Sequence, residues 1–322
     1  MWLDVFKYNP GEPLVGHADK AHSLSAQRDL FAIPISTIDL WQLKEPQSIL
    51  RKQNINGSWD YPGAKEHIRS KENYNQLETY RNVGILVEMF GFTKQHVAIQ
   101  KAAEYLFTFQ TNEGDFRGIY GNQYTPNYTA GIAELLIKAG YEPDKRIEKV
   151  FQWLVSVRQS GGGWALPFRT RNCHINVIST DSPVIKPDLS KPFSQMITGV
   201  VLRAFAIHSS YSKLAEAKEA ARLLLPGLFE KDNYPDRTRK EYWLRFTFPF
   251  WYTDIISALD TLSLLGFSER EPRIEKALEW FVDHQQKNGM WDLRITKGRD
   301  KELTRAWLCL AICRIFKRFN DN

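Results

Sequence analysis

"KALEWFVDHQQKNGMW", residues 276–291, decides the fold, because an earlier stretch of the chain repeats its layout. Residues 101–116, "KAAEYLFTFQTNEGDF", have the same Lys-Ala start, internal aromatic, Gln, Gly and final aromatic at identical spacing. A third copy, 149–164, has Arg158 in the Gln position, and residues 48–59 keep only the later half. Self-similarity of this kind predicts a fold that is built from repeated helical units.

Each copy predicts an amphipathic helix, which a glycine ends, followed by a helix of a different kind. Along 144–158, apolar residues recur at helical spacing with charged residues between them. A degenerate copy of the repeat is expected within 216–236. The second helices are apolar over most of their circumference, which indicates that they are covered on both sides. These segments are 73–91, 124–140, 192–208, 246–266 and 302–316.

The final segment distinguishes an open solenoid from a closed ring. An open solenoid needs polar terminal caps, yet 302–316 is as apolar as the central segments. We therefore predict an all-α fold, an α/α toroid with a double ring of about five to six helical hairpins. Residues 35–322 would form this single toroid domain with a long loop at 165–192, and residues 1–34 an arm that completes or plugs the ring.

The repeat is similar to the QW repeat of the terpenoid cyclase and protein prenyltransferase toroids, including squalene cyclases. The resemblance implies a central cavity that holds a long isoprenoid. It also implies that the Gln and Trp of each repeat clamp an outer helix to the following turn. The chain departs from these families in two ways. It has no Asp-x-Asp-Asp string, the acid motif of squalene cyclases, and no Asp-x-Cys pair of prenyltransferase zinc ligands.

Asp254 is the predicted catalytic acid. Five aromatic residues and Pro249 precede it within nine residues, so we expect apolar surroundings that raise its pKa and keep it protonated. A protonated carboxyl is what an alkene-protonating acid requires. The alternative is an Asp that caps a helix beginning after Pro249 or pairs with an arginine. Glu78 is the second candidate, although a salt bridge with Arg81 explains it equally well.

The predicted substrate-binding residues lie near the N-termini of the inner helices, which meet at one rim and attract anions. They are Tyr74, Arg81, Tyr128, Phe248, Trp251, Tyr252, Arg305 and Trp307. Aromatic faces can stabilise a carbocation, but aromatic residues on buried helices are also ordinary core.

No metal and no cofactor are predicted. Cys173, His174 and Asp181 form the chain's only Cys-His cluster, but adjacent residues of an extended loop point apart, whereas metal ligands must converge. The seven histidines show no metal-binding spacing, and the sequence contains no phosphate-binding loop or nucleophile elbow.

Three classes of function fit the residues. The first is a terpene cyclase-like or prenyl-handling enzyme with a hydrophobic isoprenoid ligand, which could include an anionic headgroup. The second is a carbohydrate-active α/α-barrel enzyme with Glu78 and Asp254 as its carboxylate pair. The third is a non-catalytic binding or scaffold toroid. A dry apolar cavity favours the first, an open polar groove the second, and a cavity filled by side chains the third.

Composition limits the partners and the compartment. The net charge is +6, but the basic residues form no tract that suits nucleic acid. Three cysteines make no disulfide framework, which favours a reducing, cytoplasmic location. The final helix has a basic end and could lie on a membrane surface, although its role as the closing inner helix explains it without a membrane.

Overall fold

The computed structural model of the chain describes residues 2–63, 71–173, 182–235, 238–296 and 300–321, and its regular elements there are helices. In chain order the α-helices are α1 (Gly11–Val15), α2 (Lys20–Phe31), α3 (Thr37–Trp41), α4 (Lys44–Leu50), α5 (Lys71–Phe90), α6 (Val97–Phe107), α7 (Pro126–Leu136), α8 (Lys145–Ser156), α9 (Pro167–Thr170), α10 (Gln195–Ile207), α11 (Ala215–Leu224), α12 (Ile255–Leu264), α13 (Pro272–Asp283) and α14 (Lys301–Asp321). Among the residues described, no helix is long and apolar enough to cross a membrane.

Six helices form a closed inner ring. Helix α5 packs on α7, α7 on α10, α10 on α12, α12 on α14, α14 on α2, and α2 on α5. Helices α4, α6, α8, α11 and α13 each pack against an inner helix from outside. The predicted α/α toroid is therefore confirmed. Ring closure explains the apolar sequence of α14, which is covered by α12 on one side and α2 on the other.

The outer and inner helices differ in how much of their circumference they bury. On α8 the buried residues include Ile147, Val150 and Leu154, whereas Glu148 and Lys149 between them are exposed. Helix α10 buries eleven of its thirteen residues, including Arg203. This is the contrast expected between a helix that faces water on one side and a helix that is covered on both.

The repeated glutamines and tryptophans hold each outer helix to the following turn, as the resemblance implied, and the glutamines also reach the next outer helix. The Nε2 of Gln110 donates to the carbonyl of Gly114 in its own turn, at 2.9 Å, and to that of Arg146 in α8, at 2.8 Å. Gln53 makes the same two bonds to Gly57 and to Ala98 in α6. The repeated tryptophans complete the clasp because each indole N–H group donates a hydrogen bond to a backbone carbonyl. They are Trp59, Trp164 and Trp291, which donate to Ile49, Leu154 and Phe281 of the preceding outer helix.

The last clasp joins the end of the chain to its beginning. Gln285 donates to the carbonyl of Tyr8 at 2.7 Å and accepts from the Tyr8 N–H at 3.0 Å. Gly289 has a φ of +80°, and an added Cβ there would lie 2.5 Å from the carbonyl oxygen of Asn9. Close packing and a left-handed backbone therefore both require glycine at this position.

The third copy of the repeat is aligned one residue differently from the sequence prediction. Gln159, not Arg158, makes the clasp bonds, which run to the carbonyls of Asp188 and Lys191 at 2.9 and 2.8 Å. Arg158 instead pairs with Glu219 on α11. The turn in this copy is one residue shorter. Counting six residues back from Trp164, as in the other copies, therefore selects Arg158 in place of Gln159.

The segment 246–254, predicted as the first half of an inner helix, is a non-helical segment that bends back on itself instead. The Phe246 backbone bonds to Arg294 and Thr296, and the Trp251 N–H donates to the Thr247 hydroxyl at 3.3 Å across the bend. Helix α12 starts only at Ile255. Pro249 cannot donate a helical hydrogen bond, and the capping box of Asp254 fixes the start of the helix. We call residues 246–254 the lumen hairpin.

Candidate functional site

The lumen hairpin lies against two glycines on the inner helices. A Cβ on Gly84 of α5 would be 2.4 Å from the Trp251 ring, and one on Gly199 of α10 would be 2.4 Å from the Thr253 hydroxyl. Glycine inside a helix costs about 1 kcal/mol relative to alanine, so its presence here is explained by the close approach of the hairpin. The hairpin thus occupies space inside the ring, beside the middle of these two helices.

Aromatic side chains of the hairpin connect opposite parts of the ring. Phe248 stacks on Trp307 of α14, with ring centres 5.4 Å apart and an angle of 6° between the planes. Trp251 meets the edge of Tyr80 at 5.2 Å, and Tyr80 meets Tyr128 at 5.9 Å. The structure therefore brings these four predicted residues onto one aromatic wall through Tyr80 and the hairpin backbone. Sequence analysis missed Tyr80.

Asp254 is a fully buried carboxyl at the start of α12. Its Oδ1 accepts the Ser257 N–H at 2.8 Å, and its backbone N–H donates to the Ser257 hydroxyl at 2.9 Å. Its Oδ2 is buried and has no hydrogen-bond partner within the described ranges. Burial raises the pKa of Asp254 to about 7, against the opposing effects of the Ser257 N–H and Arg203. The capping alternative is therefore correct, and it leaves the second oxygen available.

A chain of buried charges runs along the ring wall from the neighbourhood of Asp254. Arg203 Nε donates to Glu134 Oε2 at 3.0 Å, and Lys138 Nζ donates to Glu134 Oε1 at 2.9 Å and to Glu88 Oε1 at 2.5 Å. Arg203 Nη1 lies 3.5 Å from the carbonyl oxygen of Tyr252. This contact places the guanidinium beside the first residues of α12.

The pKa shifts of these ion-paired side chains keep them charged. Burial alone would raise the pKa of Glu134, but Arg203 and Lys138 outweigh it and lower that pKa. Burial likewise opposes the charged form of Arg203, and Glu134 outweighs it, so the pKa of Arg203 rises. Sequence analysis missed these residues. The available signal was the presence of charged residues inside segments that are otherwise apolar all round.

The larger described cavity, about 700 Å³ in volume, lies at the C-terminal ends of the inner helices. The candidate site predicted from the sequence lies at their N-terminal ends. Phe248 and Phe250 of the lumen hairpin line the cavity together with residues from five inner helices and from the turn after α7. Those residues are Arg28, Asp29, Val87, Glu88, Lys138, Ile207, Asp260, Leu264, Ala311, Arg314, Lys317, Arg318 and Asp321. We call this space the axial cavity. It combines apolar and charged walls and is neither a dry apolar chamber nor an open polar groove.

Positive charge exceeds negative charge on one side of the axial cavity. Arg28 donates to Asp29 at 2.6 Å, and Arg314 pairs with the same carboxylate. Lys317 Nζ donates to the backbone carbonyls of Asp29 and Leu30 at 2.9 and 3.1 Å. Burial would raise the pKa of Asp29, but Arg314 and Arg28 outweigh it and lower the pKa. Two arginines thus pair with one ionised carboxylate, and Lys317 adds a third positive charge through the backbone beside it.

The remaining predicted residues of α5 have ordinary partners. Glu78 lies 3.5 Å from Arg81 and also accepts from Asn82, as the salt-bridge alternative expected. Tyr74 meets the ring of Tyr61 edge-on at 4.9 Å. These contacts tie Glu78 and Tyr74 to their own end of the ring.

Arg305 belongs to a different place. It pairs with Glu302 at 2.6 Å and with Asp292 at 3.2 Å, beside a smaller cavity of about 330 Å³ near the last clasp. The structure therefore groups Arg305 with the repeat turn at 286–292, whereas Trp307, two residues later, contacts the lumen hairpin.

The Cys173, His174 and Asp181 cluster is only partly visible. His174 and Asp181 lie outside the described residues, and Cys173 is a free cysteine whose thiol donates to the Arg171 carbonyl. In the part of the chain that is described, no group of three His, Cys, Asp or Glu side chains could hold a metal ion.

Solved structures of similar proteins include terpene cyclases. The ligand-free type II terpene cyclase MstE from Scytonema is 14% identical, with 87% of this chain and 97% of that chain covered and a TM-score of 0.35. An arginine-to-alanine variant of MstE with geranylgeranyl dihydroxybenzoate bound as substrate is 13% identical, with 88% and 97% covered and a TM-score of 0.36. A protein from Actinoplanes is 14% identical, with 88% of each chain covered and a TM-score of 0.42.

The family assignment rests on a sequence model of a known domain. No curated protein sequence matches the chain. The family model of the squalene-hopene cyclase C-terminal domain matches residues 142–306, just over half of the chain. The matched range contains Arg203, the lumen hairpin and Asp254. The chain therefore belongs to the family of the squalene-hopene cyclase C-terminal domain.

Proposed function

We propose that this protein is a terpene cyclase-like enzyme that binds an isoprenoid inside the ring and protonates one of its double bonds with Asp254. The observation that carries the proposal is the state of this carboxyl. One oxygen caps α12, the other is buried without a hydrogen-bond partner among the described residues, and burial raises the pKa to about 7. An acid whose pKa lies near neutrality is protonated often enough to act and still gives up its proton.

The proposed step transfers one proton. The Oδ2–H bond of Asp254 breaks and its electron pair stays on the carboxylate. The π electrons of the alkene form the new C–H bond, and a carbocation develops on the neighbouring carbon. Trp251, Tyr80 and Trp307 of the aromatic wall could stabilise such a cation, each face by roughly 0.5 to 2 kcal/mol.

The axial cavity supports an amphiphilic ligand. Its volume of about 700 Å³ lies within the range of about 300–1,000 Å³ that is usual for ligand sites. Phe248, Phe250 and Ile207 offer apolar surface to an isoprenoid chain, and Arg28, Arg314 and Lys317 offer excess positive charge to an anionic headgroup.

Asp254 does not line the axial cavity, so the ligand must reach it by displacing the lumen hairpin. We propose that the hairpin withdraws when the isoprenoid enters. Hydrogen exchange measured by mass spectrometry tests this step: amides of residues 246–254 should exchange faster with ligand present, while those of α10 should not. Equal or slower exchange in the hairpin would contradict the withdrawal.

Incubation with a panel of prenyl substrates, followed by product analysis, tests the role of Asp254. Asp254→Asn keeps the helix cap but removes the acid, so turnover should be lost. Asp232→Asn is the matched control. Asp232 is also buried at the start of an inner helix, but its Oδ2 already accepts from Ser194 and Met196, both at 2.8 Å. This variant should retain turnover, and equal turnover by wild type and Asp254→Asn would remove Asp254 from the role.

The headgroup is tested by comparing geranylgeranyl diphosphate with geranylgeraniol in a binding assay. Lys317→Met should weaken binding of the diphosphate and leave the alcohol unaffected, because only the charged ligand needs the cation. Lys301→Met alters an exposed lysine in the first turn of the same helix and should change neither. Equal affinity of wild type for both ligands would remove the anionic headgroup from the proposal.

The filled lumen favours a second function, which is binding without catalysis. Trp251 and Thr253 occupy the interior of the ring and pack tightly on Gly84 and Gly199. Binding of prenyl ligands with no product from any of them would select this function. The carbohydrate-active alternative is not favoured, because Glu78 is held by Arg81 and Asn82 and does not line the axial cavity.

A further inference from the structure

Two buried polar atoms belong to residues that come together just before α12: Arg203 contacts the carbonyl of Tyr252, two residues before Asp254. Asp254 Oδ2 and Arg203 Nη2 are both buried and both lack a hydrogen-bond partner among the described residues. An ionised carboxylate beside an arginine ordinarily forms a short bidentate pair. Here the guanidinium directs its Nε to Glu134 instead, at 3.0 Å.

The row of ion-paired side chains in the ring wall has no net charge, and it stays balanced only while Asp254 is neutral. Arg203 and Lys138 carry two positive charges, and Glu134 and Glu88 carry two negative charges. An ionised Asp254 would add an uncompensated negative charge to a region where Arg203 and Glu134 are at most 6% exposed. A charge without a partner is strongly disfavoured in such surroundings.

We propose that Glu134 is a positioning residue that keeps Asp254 protonated by holding the guanidinium of Arg203 on the opposite side. The inference rests on the proposed role of Asp254 as the acid. When Asp254 gives its proton to the alkene, Arg203 Nη2 becomes the hydrogen-bond donor for the new carboxylate. The proton is then held in the new C–H bond of the substrate. The Glu134–Arg203 pair thus sets both the resting state of the acid and the stability of its conjugate base.

The charged groups on the other elements around α12 are engaged elsewhere. Asp260 pairs with Arg318 of α14 at 2.9 Å, at the C-terminal end of α12. On α14, Arg305 pairs with Glu302 and Asp292 beside the last clasp. The charged residues of α13 that are exposed to solvent are Glu275, Lys276, Glu279 and Asp283. Helix α10 contributes Arg203, and α7 contributes Glu134, with Lys138 just after it. Helix α5 contributes Glu88 and Tyr80, and burial raises the pKa of Tyr80.

The experiment is a titration of Asp254 in the full-length protein without substrate. The C=O stretch of the protonated carboxyl is followed by infrared spectroscopy as the pH is raised, and Asp254→Asn identifies the band. Glu134→Gln should lower the midpoint by about one to three pH units, because Arg203 then has no competing carboxylate. Lys138→Gln should raise the midpoint, because it removes a positive charge from the same chain.

Opposite shifts distinguish this role from a structural one, which would give no directional pattern. Asp260→Asn breaks an ion pair on the same helix and should leave the midpoint unchanged. If Glu134→Gln does not fold, the upward shift in Lys138→Gln decides, since Lys138 borders the axial cavity and is less buried. An unchanged midpoint in the folded variants would overturn the inference. The titration uses no substrate, so it can be judged separately from turnover. If the midpoints shift as expected but the protein turns over no prenyl substrate, the proposed function is refuted and the inference about Glu134 stands.

Discussion

Arg203 and Glu134 form an ion pair inside the wall of the inner ring, with 3.0 Å between Arg203 Nε and Glu134 Oε2 and side chains only 3% and 6% exposed. They lie 69 residues apart in the sequence, on α10 and α7. Removing two charges from water costs several kcal/mol each, and the cost is recovered only while both partners are present. The pair therefore links the stability of the ring to the chemistry proposed for Asp254.

The first prediction concerns this ion pair. Arg203→Met should lower the free energy of unfolding by about 3–5 kcal/mol, because it leaves Glu134 buried with a weakened set of partners. The double variant Arg203→Met with Glu134→Gln should lose less than the sum of the two single variants. Urea denaturation of the four proteins in a double-mutant cycle measures the difference. Strict additivity would show that the two residues do not stabilise each other.

The second prediction concerns stability against pH at Asp254. Its pKa is about 7 in the folded protein and about 3.9 in the unfolded chain. The folded protein therefore binds the extra proton between these values. The stabilising contribution is complete below about pH 4 and is lost as the pH rises toward 7.

Asp254→Asn removes this dependence while keeping the cap on Ser257. Relative to wild type, the variant should gain roughly 4 kcal/mol of unfolding free energy between pH 4 and 8. Urea denaturation of both proteins at several pH values checks the trend. A constant difference between the two proteins across this range would show that Asp254 titrates normally.

The third prediction concerns ring closure at Gln285. Gln285→Ala removes hydrogen bonds to Tyr8 and Gly289, and should lower the free energy of unfolding by about 1–3 kcal/mol. It should also speed proteolysis within the first ten or so residues, which this side chain holds to the last repeat. The neighbouring Gln286 is exposed, so Gln286→Ala should change stability by no more than about 0.5 kcal/mol. Similar losses in the two variants would contradict the role of the clasp.

The fourth prediction concerns the seat of the lumen hairpin at Gly84. Replacing a helical glycine with alanine ordinarily stabilises by up to about 1 kcal/mol. Gly84→Ala should instead destabilise by about 1–3 kcal/mol, because the new Cβ would lie 2.4 Å from the Trp251 ring. Gly161→Ala, where nothing lies within 4 Å of the added Cβ, should not show this loss. A thermal unfolding comparison decides, and a stabilised Gly84→Ala protein would mean that the hairpin leaves the ring readily.

The helical pairs and their clasps could be predicted from sequence because their signals are local. Apolar spacing along 145–156 identifies an outer helix, and a Gln four residues before a Gly identifies the turn that follows. Gln53, Gln110 and Gln285 all make the bonds that this frame implies. Where the turn is one residue shorter, at Gln159, the same frame selected Arg158, because counting cannot register a deletion inside a loop.

The candidate site was predictable only in part. The aromatic run before Asp254 correctly indicated a buried carboxyl with a raised pKa. The same run was predicted as helix, because its apolar residues also suit an inner helix, and a hairpin that packs inside a ring leaves no periodic signal. Glu134 and Arg203 were each visible as charges in apolar segments, but nothing in either segment names the other as its partner.

The sequence by itself determined the repeated helical pairs and the turns that follow the outer helices, because each depends on residues within a few turns of one another. Tertiary structure alone decided three further features. The ring closes through Tyr8, the lumen hairpin fills the space between α5 and α10, and the charges of Arg203, Glu134 and Lys138 meet beside the acid. Each requires segments that are distant in the chain to come together, and the energy of such contacts depends on packing that no local pattern encodes.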